Sequence, residues 1–132
     1  KPEVSIKGLH ILLAEDNELN MEIAKFMLQN EGADVTKAWN GREAVEIFRK
    51  SEPDEFDVIL MDIMMPVMNG YEATKMIRSL EREDAKTIPI IAMTANAFTE
   101  DRLKAKEAGM DEHIAKPVDP ELLVKVIYES VD

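Results

Sequence analysis

The sequence contains no cysteine among its 132 residues, which excludes disulfides, thiolate metal sites and cysteine nucleophiles. It also has no apolar run close to the ~20 residues of a membrane-spanning helix, and no signal-peptide core at its start. Basic side chains are in the minority, 16 against 27 acidic ones, so the formal net charge is −11. Such a surface repels phosphate backbones, and we therefore expect no directly bound nucleic acid and no membrane contact.

The remaining composition is that of one globular domain. Hydrophobic residues make up 45% and charged residues 33% of a chain that is long enough to bury a core. The lack of cysteine fits a reducing compartment, and we predict a cytoplasmic domain. The chain begins with Lys1 rather than Met, which is expected of a piece of a longer protein. Only residues 1–7 resemble a tether, so we assign the domain to residues 8–132.

Short apolar runs alternate with amphipathic segments five times along the chain. Four of the runs lack the alternation of half-exposed strands, as expected for parallel strands that are covered on both faces. In the remaining run, which is the second along the chain, Lys37 indicates an edge strand that is protected by charge. The pattern predicts an α/β fold with a doubly wound, five-stranded parallel sheet and right-handed crossovers. The predicted strands are His10–Ala14, Asp34–Ala38, Asp57–Met61, Pro89–Met93 and His113–Ala115.

The amphipathic segments carry helix-start signals and apolar stripes. Asn17 is a candidate cap of the first helix, Asn40 of the second, and Asp119-Pro120 predicts the start of the last. The spacing of apolar residues predicts which face of each helix is buried. The predicted buried stripes are Leu19, Ile23, Phe26 and Met27; Ala44, Val45 and Phe48; Ala73, Met76, Ile77 and Leu80; and Leu122, Leu123, Val126 and Ile127.

The notable polar residues follow the strands, at the sheet edge where such folds bind ligands. Glu15 and Asp16 follow the first strand and Asp62 follows the third. Thr94 follows the fourth strand and Lys116 the fifth. In the strand order 2-1-3-4-5 the three acids converge, whereas in the order 3-2-1-4-5 Asp62 lies two strands away. Convergence of so many polar groups favours the first order.

Converging carboxylates need their charge to be neutralised, because two of them about 5 Å apart repel by roughly 3 kcal/mol at an effective dielectric near 20. Either a divalent cation or a proton on one carboxyl removes this repulsion, and Mg²⁺ suits a few carboxylates and a phosphate oxygen. Lys116 and Thr94 can then bind phosphoryl oxygens while Asp62 acts as the nucleophile. A cis Lys116-Pro117 bond would direct the ammonium toward this edge. Taken singly, Glu15 and Asp16 read better as caps of the first helix and Asp62 as the end of a strand, and only their combination with Thr94 and Lys116 favours a site.

Four motifs together make the chain resemble the receiver domains of two-component signalling, from about Gly8 to Val131. They are LLAEDN at Leu12–Asn17, MDIMMPVMNG at Met61–Gly70, IIAMTA at Ile90–Ala95 and IAKP at Ile114–Pro117. The resemblance implies a flavodoxin-like (βα)5 fold and a phosphoacceptor at Asp62.

The same resemblance assigns further roles at the site. It implies that Asp16 binds Mg²⁺ directly together with Asp62, that Glu15 acts through water, and that the Met64 carbonyl completes the protein ligands. Thr94 and Lys116 take the catalytic positions. Thr94 and His113 take the switch positions, although many members carry Tyr or Phe where this chain has His113.

The resemblance implies a switch that receives its phosphoryl group from a histidine kinase or a histidine phosphotransfer domain, within a hybrid kinase or a response regulator. Such a domain assists its own phosphorylation and dephosphorylation but is not a kinase, and a homodimer is left open. One alternative is a receiver-like module that no longer turns over phosphate. A small-molecule phosphatase of the haloacid-dehalogenase type would need an acid where Met64 stands and a cap insertion for which the chain has no room. A flavin-binding relative would need a phosphate loop where Glu15 and Asp16 stand.

Overall fold

The computed structural model describes residues 4–95 and 99–131, which form five parallel strands and six helices. The sheet has the order β2-β1-β3-β4-β5, which confirms the predicted topology and the edge position of β2. Two strands lie one residue later than predicted, and β5 begins one residue earlier. The strands are β1 His10–Ala14, β2 Asp34–Ala38, β3 Val58–Asp62, β4 Ile90–Thr94 and β5 Glu112–Ala115.

The helices cover both faces of the sheet. A short helix, α4, was not predicted because a single turn of five residues leaves no periodic pattern in the sequence. Its Asp84 is instead held by Arg82, whose guanidinium donates two hydrogen bonds to the carboxylate at 2.6 and 2.7 Å. The helices are α1 Glu18–Asn30, α2 Gly41–Lys50, α3 Gly70–Arg78, α4 Glu83–Thr87, α5 Thr99–Ala108 and α6 Pro120–Val131.

Two hydrophobic clusters lie on opposite faces of the sheet. One packs α2, α3, α4 and α5 against it and includes Phe48 and Ile77, and the other packs α1 and α6 and includes Leu28 and Ile127. All five residues of β3 are buried, as expected for a central parallel strand that is covered on both sides. The functional edge therefore rests on a rigid support.

The predicted helix starts are confirmed. The Asn17 side chain caps α1 by accepting a hydrogen bond from the Asn20 N–H at 2.9 Å, and Asn40 caps α2 in the same way. Helix α6 begins at Pro120, directly after Asp119. A full capping box at Asn69 and Glu72, which was not among the predicted helix starts, begins α3.

The predicted buried face of α1 is wrong. Leu19 and Phe26 are 68% and 70% exposed, and Ile23 is 45% exposed. The sheet instead packs against the opposite side of the helix, on Met21, Ala24 and Leu28. Met76 of α3 and Leu122 of α6 are also exposed rather than buried. The other predicted helix faces are buried or half-buried.

The segment before the predicted domain is attached to the core. Ile6 is fully buried in the cluster on the α1 side of the sheet, and the Leu9 N–H donates to the Ile6 carbonyl at 3.1 Å. The boundary at residue 8 stays a prediction. Within residues 4–95 and 99–131, each helix falls short of the length and apolar content that crossing a membrane requires.

Candidate functional site

The predicted acids converge at the carboxyl ends of β1 and β3. These strands are neighbours, with Ala14 paired to Met61. Glu15 and Asp62 are the next residues along the two segments, and they therefore lie side by side at the edge of the sheet. Carboxylate oxygens of Glu15, Asp16 and Asp62 all lie within 4.8 Å of one another. Glu15 and Asp62 are buried, whereas Asp16 is exposed. The strand order thus produces the cluster that the sequence led us to expect.

Lys116 carries the positive charge of this cluster. Its Nζ lies 2.8 Å from Glu15 Oε1 and 3.1 Å from Asp62 Oδ2, so one ammonium bridges two buried carboxylates. The Lys116 backbone N–H donates to the Thr94 carbonyl at 2.8 Å, which ties the end of β5 to the end of β4. The Lys116–Pro117 peptide bond is cis, as the sequence predicted.

Backbone hydrogen bonds fix Glu15 in place. Its own N–H donates to the Ala38 carbonyl at 3.0 Å, which extends the β1–β2 pairing by one step. Its Oε2 accepts from the Asn17 N–H at 3.1 Å, at the residue that caps α1. The turn from β1 into α1 therefore orients the carboxylate that meets Lys116.

The balance of charge at the site alters two pKa values. Burial and the nearby Glu15 charge together raise the pKa of Asp62 to about 7, against the opposing effect of Lys116. Burial alone would lower the pKa of Lys116, but its hydrogen bond to Glu15 and the charge of Asp62 outweigh burial and raise it. Lys116 therefore stays protonated at neutral pH, while Asp62 is held close to its titration point.

The donor set at this edge fits a magnesium ion. Carboxylate oxygens are the ligands that this cation prefers, and a divalent charge would offset the repulsion that raises the pKa of Asp62. The remaining expected ligand is the backbone carbonyl of Met64, two residues after Asp62 in the loop that leaves β3. A cluster of a few carboxylates suits Mg²⁺, a small cation that keeps several waters and binds a phosphate oxygen.

The two residues expected to switch lie on neighbouring strands. Thr94 ends β4, is 7% exposed, and pairs in register with Ala115. His113 lies two residues earlier on β5, opposite Ala92, and is half-buried. It lines a cavity of about 490 Å³ between α5 and β5, together with Arg102 and Lys106. This cavity is lined by residues of α5, of β5 and of the turn between them, and not by the acid cluster.

A groove that the sequence analysis did not anticipate begins at the acid cluster. A cavity of about 420 Å³ is lined by Glu15 and Lys116 at one end and by Ile23 and Met27 of α1 along its side. A second cavity of about 440 Å³, lined by Phe26 and the same Met27, continues toward α6. The sequence signal was present, because α1 carries apolar residues on two opposite sides.

Comparison with known proteins places this arrangement in a family. Residues 11–128 match the family model of the response regulator receiver domain. A hybrid signal transduction histidine kinase I from Dictyostelium discoideum is 42% identical over 123 residues, covering 92% of this chain but 7% of the relative. Histidine kinase 1 from Arabidopsis thaliana is 37% identical, covering 96% of this chain and 13% of the relative. The chain therefore spans a small part of these relatives.

Solved structures of receiver domains share this fold. A receiver domain of a sensor histidine kinase from Pseudomonas aeruginosa, with magnesium coordinated in its active site cleft, has a TM-score of 0.85 at 38% identity and covers 94% of this chain and 98% of that one. The receiver domain of Ssk1 from Saccharomyces cerevisiae, crystallised with the histidine phosphotransfer protein Ypd1, has a TM-score of 0.85 at 32% identity and covers 95% and 90%. This chain belongs to the response regulator receiver domain family, the phosphoacceptor switches of two-component signalling.

Proposed function

We propose that Asp62 is the phosphoacceptor and that it receives its phosphoryl group from a phosphohistidine of a histidine kinase or a histidine phosphotransfer domain. The main support for this proposal is the bridge that Lys116 forms to both Glu15 and Asp62, inside a cluster of three acids. Three carboxylates beside a single ammonium leave an excess of negative charge at a partly buried site, which points to a site built for a bound cation.

The transfer needs little covalent chemistry from the protein. The N–P bond of the phosphohistidine breaks, its electron pair returns to the imidazole, and phosphorus bonds to an Asp62 carboxylate oxygen. Lys116 is already within 3.1 Å of Asp62 Oδ2 and would follow the new phosphoryl oxygens with its ammonium. Thr94, buried at the end of the adjacent strand, would donate its hydroxyl to another of them. Hydrolysis of the acyl phosphate returns Asp62 to its carboxylate form.

Magnesium belongs to the same proposal. Asp16 and Asp62 would hold it with the Met64 carbonyl, and Glu15 would reach it through water. When bound, the ion supplies charge neutralisation between the carboxylates and the phosphoryl oxygens. Asp16 is exposed, and it can therefore take up an ion without breaking the Lys116 bridge to Glu15.

We assign the chain a signalling role rather than that of an independent enzyme. It would assist its own phosphorylation and dephosphorylation, and the kinase activity would belong to another domain or protein. Because histidine kinases draw their phosphoryl groups from ATP, we also propose a cytoplasmic location. The relatives are histidine kinases that exceed this chain several-fold in length, which supports a place within a hybrid kinase.

The exposed side of α1 is the proposed docking surface for the donor. Leu19, Ile23 and Phe26 present an apolar stripe to solvent, and the groove beside it ends at Glu15 and Lys116. A helix of a donor protein fits such a stripe, and its histidine would then face the acid cluster. The Ssk1 receiver domain, which resembles this chain, was crystallised with a histidine phosphotransfer protein.

We further propose that Thr94 and His113 transmit the change. The added phosphoryl group carries close to two negative charges and would draw the Thr94 hydroxyl toward it, vacating space beside β5. His113 would then change rotamer and alter the surface of α5, β5 and α6. NMR with a beryllofluoride mimic tests this relay. If His113 resonances shift equally in wild type and Thr94→Ala, the relay is refuted.

Phosphorylation by a small donor tests the site itself. Acetyl phosphate with Mg²⁺ is expected to add one hydroxylamine-labile phosphoryl group to the wild type, measured by intact mass, and none to Asp62→Asn. Asp57→Asn is the matched control, since Asp57 lies at the opposite end of the sheet, where it accepts from the His10 N–H. Equal labelling of Asp62→Asn would refute the assignment.

The metal and the docking surface each need their own comparison. Asp16→Ala is expected to abolish labelling, while Glu18→Ala, an exposed acid in the first turn of α1, retains it. Phe26→Ser is expected to slow transfer from a phosphorylated histidine phosphotransfer protein but not from acetyl phosphate. Met76→Ser, at an exposed methionine of α3, serves as its control. Labelling of Asp16→Ala in the presence of chelator would refute the metal role.

A further inference from the structure

The loop that follows Asp62 is clamped at both ends. The Gly70 N–H donates to the Ile63 carbonyl at 2.9 Å, and the Gly41 N–H donates to the Met68 carbonyl at 3.0 Å. Both glycines are required by close approach, because a Cβ at Gly70 would overlap the Asp62 carbonyl and one at Gly41 would overlap the Met68 carbonyl. The backbone between β3 and α3 is therefore fixed against β3 and against the start of α2.

Inside this clamped loop, Val67 adopts a backbone conformation that valine avoids. Its φ is 70°, in the left-handed region, and the Met68 N–H donates to the Pro66 carbonyl at 2.7 Å across it. A three-residue turn of this kind is rare and strained. For a β-branched residue a positive φ is a genuine outlier, whereas glycine and asparagine adopt it readily.

The fold gains little from having valine at this position. The side chain is 73% exposed, so it buries little apolar surface that could offset the strain. Asparagine or glycine would make the same turn with less strain and without an exposed apolar group. Strained residues cluster at functional sites, and this strain therefore points to a role for the valine side chain other than stabilising the fold.

The position of Val67 indicates what it contacts. Asp62 is 4% exposed, so a donor must reach it between the surrounding loops, with reacting atoms about 3 Å apart. The loop that begins directly after Asp62 places Met64, 78% exposed, and Val67 at its surface. A protein that brings a phosphohistidine to Asp62 would have to approach past this loop, whereas a small donor need not contact its side chains.

We propose that Val67 is a specificity-determining contact for the protein phosphodonor, held outward by a strained turn. This inference rests on the proposed phosphoacceptor role of Asp62. Met65 and Met68, on either side of Val67 in this loop, pack on the α3 face of the sheet, whereas α1 packs on the other face, so the donor would be contacted from both sides of the acid cluster. Replacing valine by asparagine should therefore relax the fold and weaken the recognition of the donor.

The test compares Val67→Asn with Val67→Ile, which keeps both the strain and the apolar side chain. Each variant is measured for thermal unfolding, for labelling by acetyl phosphate with Mg²⁺, and for the rate of transfer from phosphorylated histidine phosphotransfer proteins, beginning with Ypd1. Val67→Asn is expected to melt about 2–5 °C higher than the wild type. Its labelling by acetyl phosphate should stay unchanged, while transfer from the protein donor slows by about fivefold to tenfold. Val67→Ile should match the wild type in all three.

The outcomes separate this inference from the proposed function. Loss of acetyl phosphate labelling in the wild type would remove the phosphoacceptor role itself. If labelling is normal but Val67→Asn accepts from the protein donor as fast as the wild type, the contact is refuted. An unchanged or lower melting temperature for Val67→Asn would refute the strain argument. Transfer to the wild type from acetyl phosphate but from none of the protein donors would also overturn the inference, since it requires a protein donor.

Discussion

Replacing Asp62 by asparagine is expected to stabilise the metal-free protein at neutral and alkaline pH, although it removes the phosphoacceptor. Burial and the Glu15 charge raise the pKa of Asp62 from its ordinary 3.8 to about 7. A group whose pKa rises on folding favours the folded state fully below its unfolded pKa, and this contribution is lost as the pH rises through the folded pKa. The wild type should therefore lose stability between about pH 4 and pH 7, whereas a neutral asparagine does not take part in this loss.

The size of the effect follows from that pKa and from the Lys116 contact. A rise from 3.8 to about 7 corresponds to about 4 kcal/mol above pH 7, which is an upper limit for the gain. That pKa already includes the attraction of Lys116, whose contact with Glu15 at 2.8 Å remains; a buried asparagine amide with incomplete hydrogen bonding subtracts about 1–3 kcal/mol. The net gain at pH 8 is thus about 1–3 kcal/mol, and near pH 4 it should vanish or reverse.

Urea unfolding at pH 4.5, 6 and 8 without metal measures this difference. Asp84→Asn is a control of opposite sign, because the hydrogen bond from Arg82 lowers the pKa of Asp84. That contribution to stability is present above the unfolded pKa and is lost as the pH falls through the folded one, so Asp84→Asn should be destabilising at pH 8. Added Mg²⁺ should stabilise the wild type more than Asp62→Asn. A destabilising or pH-independent effect of Asp62→Asn would refute the reasoning.

Two further substitutions test the packing around the site. Gly70→Ala should destabilise the fold by about 2–4 kcal/mol in urea unfolding, because the added Cβ overlaps the Asp62 carbonyl, and full stability would contradict the close approach. Thr74→Val should be neutral or stabilising by about 1 kcal/mol, since the buried Thr74 hydroxyl is unpaired among the described residues. A clear loss of thermal stability in Thr74→Val would show that its hydroxyl has a partner.

The sequence determined the order of the elements and the location of the site. Strand–helix alternation predicted the parallel sheet, and the carboxyl ends of its strands predicted the meeting of Glu15, Asp16, Asp62 and Lys116. These inferences succeeded because both follow from local pattern and from the geometry of parallel sheets. Errors of one residue at strand ends reflect the weak boundary signal of short buried strands.

Tertiary structure decided which side of α1 is buried. The helix carries apolar residues on two opposite sides, Leu19, Ile23 and Phe26 on one and Met21, Ala24 and Leu28 on the other. At 100° per residue both stripes satisfy the helical period, so the sequence pattern could not choose between them. The sheet packs on the side with Ala24. The apolar surface beside the site results from that choice.

Structure also decided the electrostatics and the strain of the site. The pKa of Asp62 depends on burial and on Lys116 and Glu15, residues that lie 101 positions apart in the chain but 2.8 Å apart across the cluster. The left-handed turn at Val67 depends on the clamp from Gly41 and Gly70, and no local signal marks a valine for that conformation. Both properties arise from contacts between elements distant in sequence, because dielectric environment and backbone closure are set only once the chain has packed.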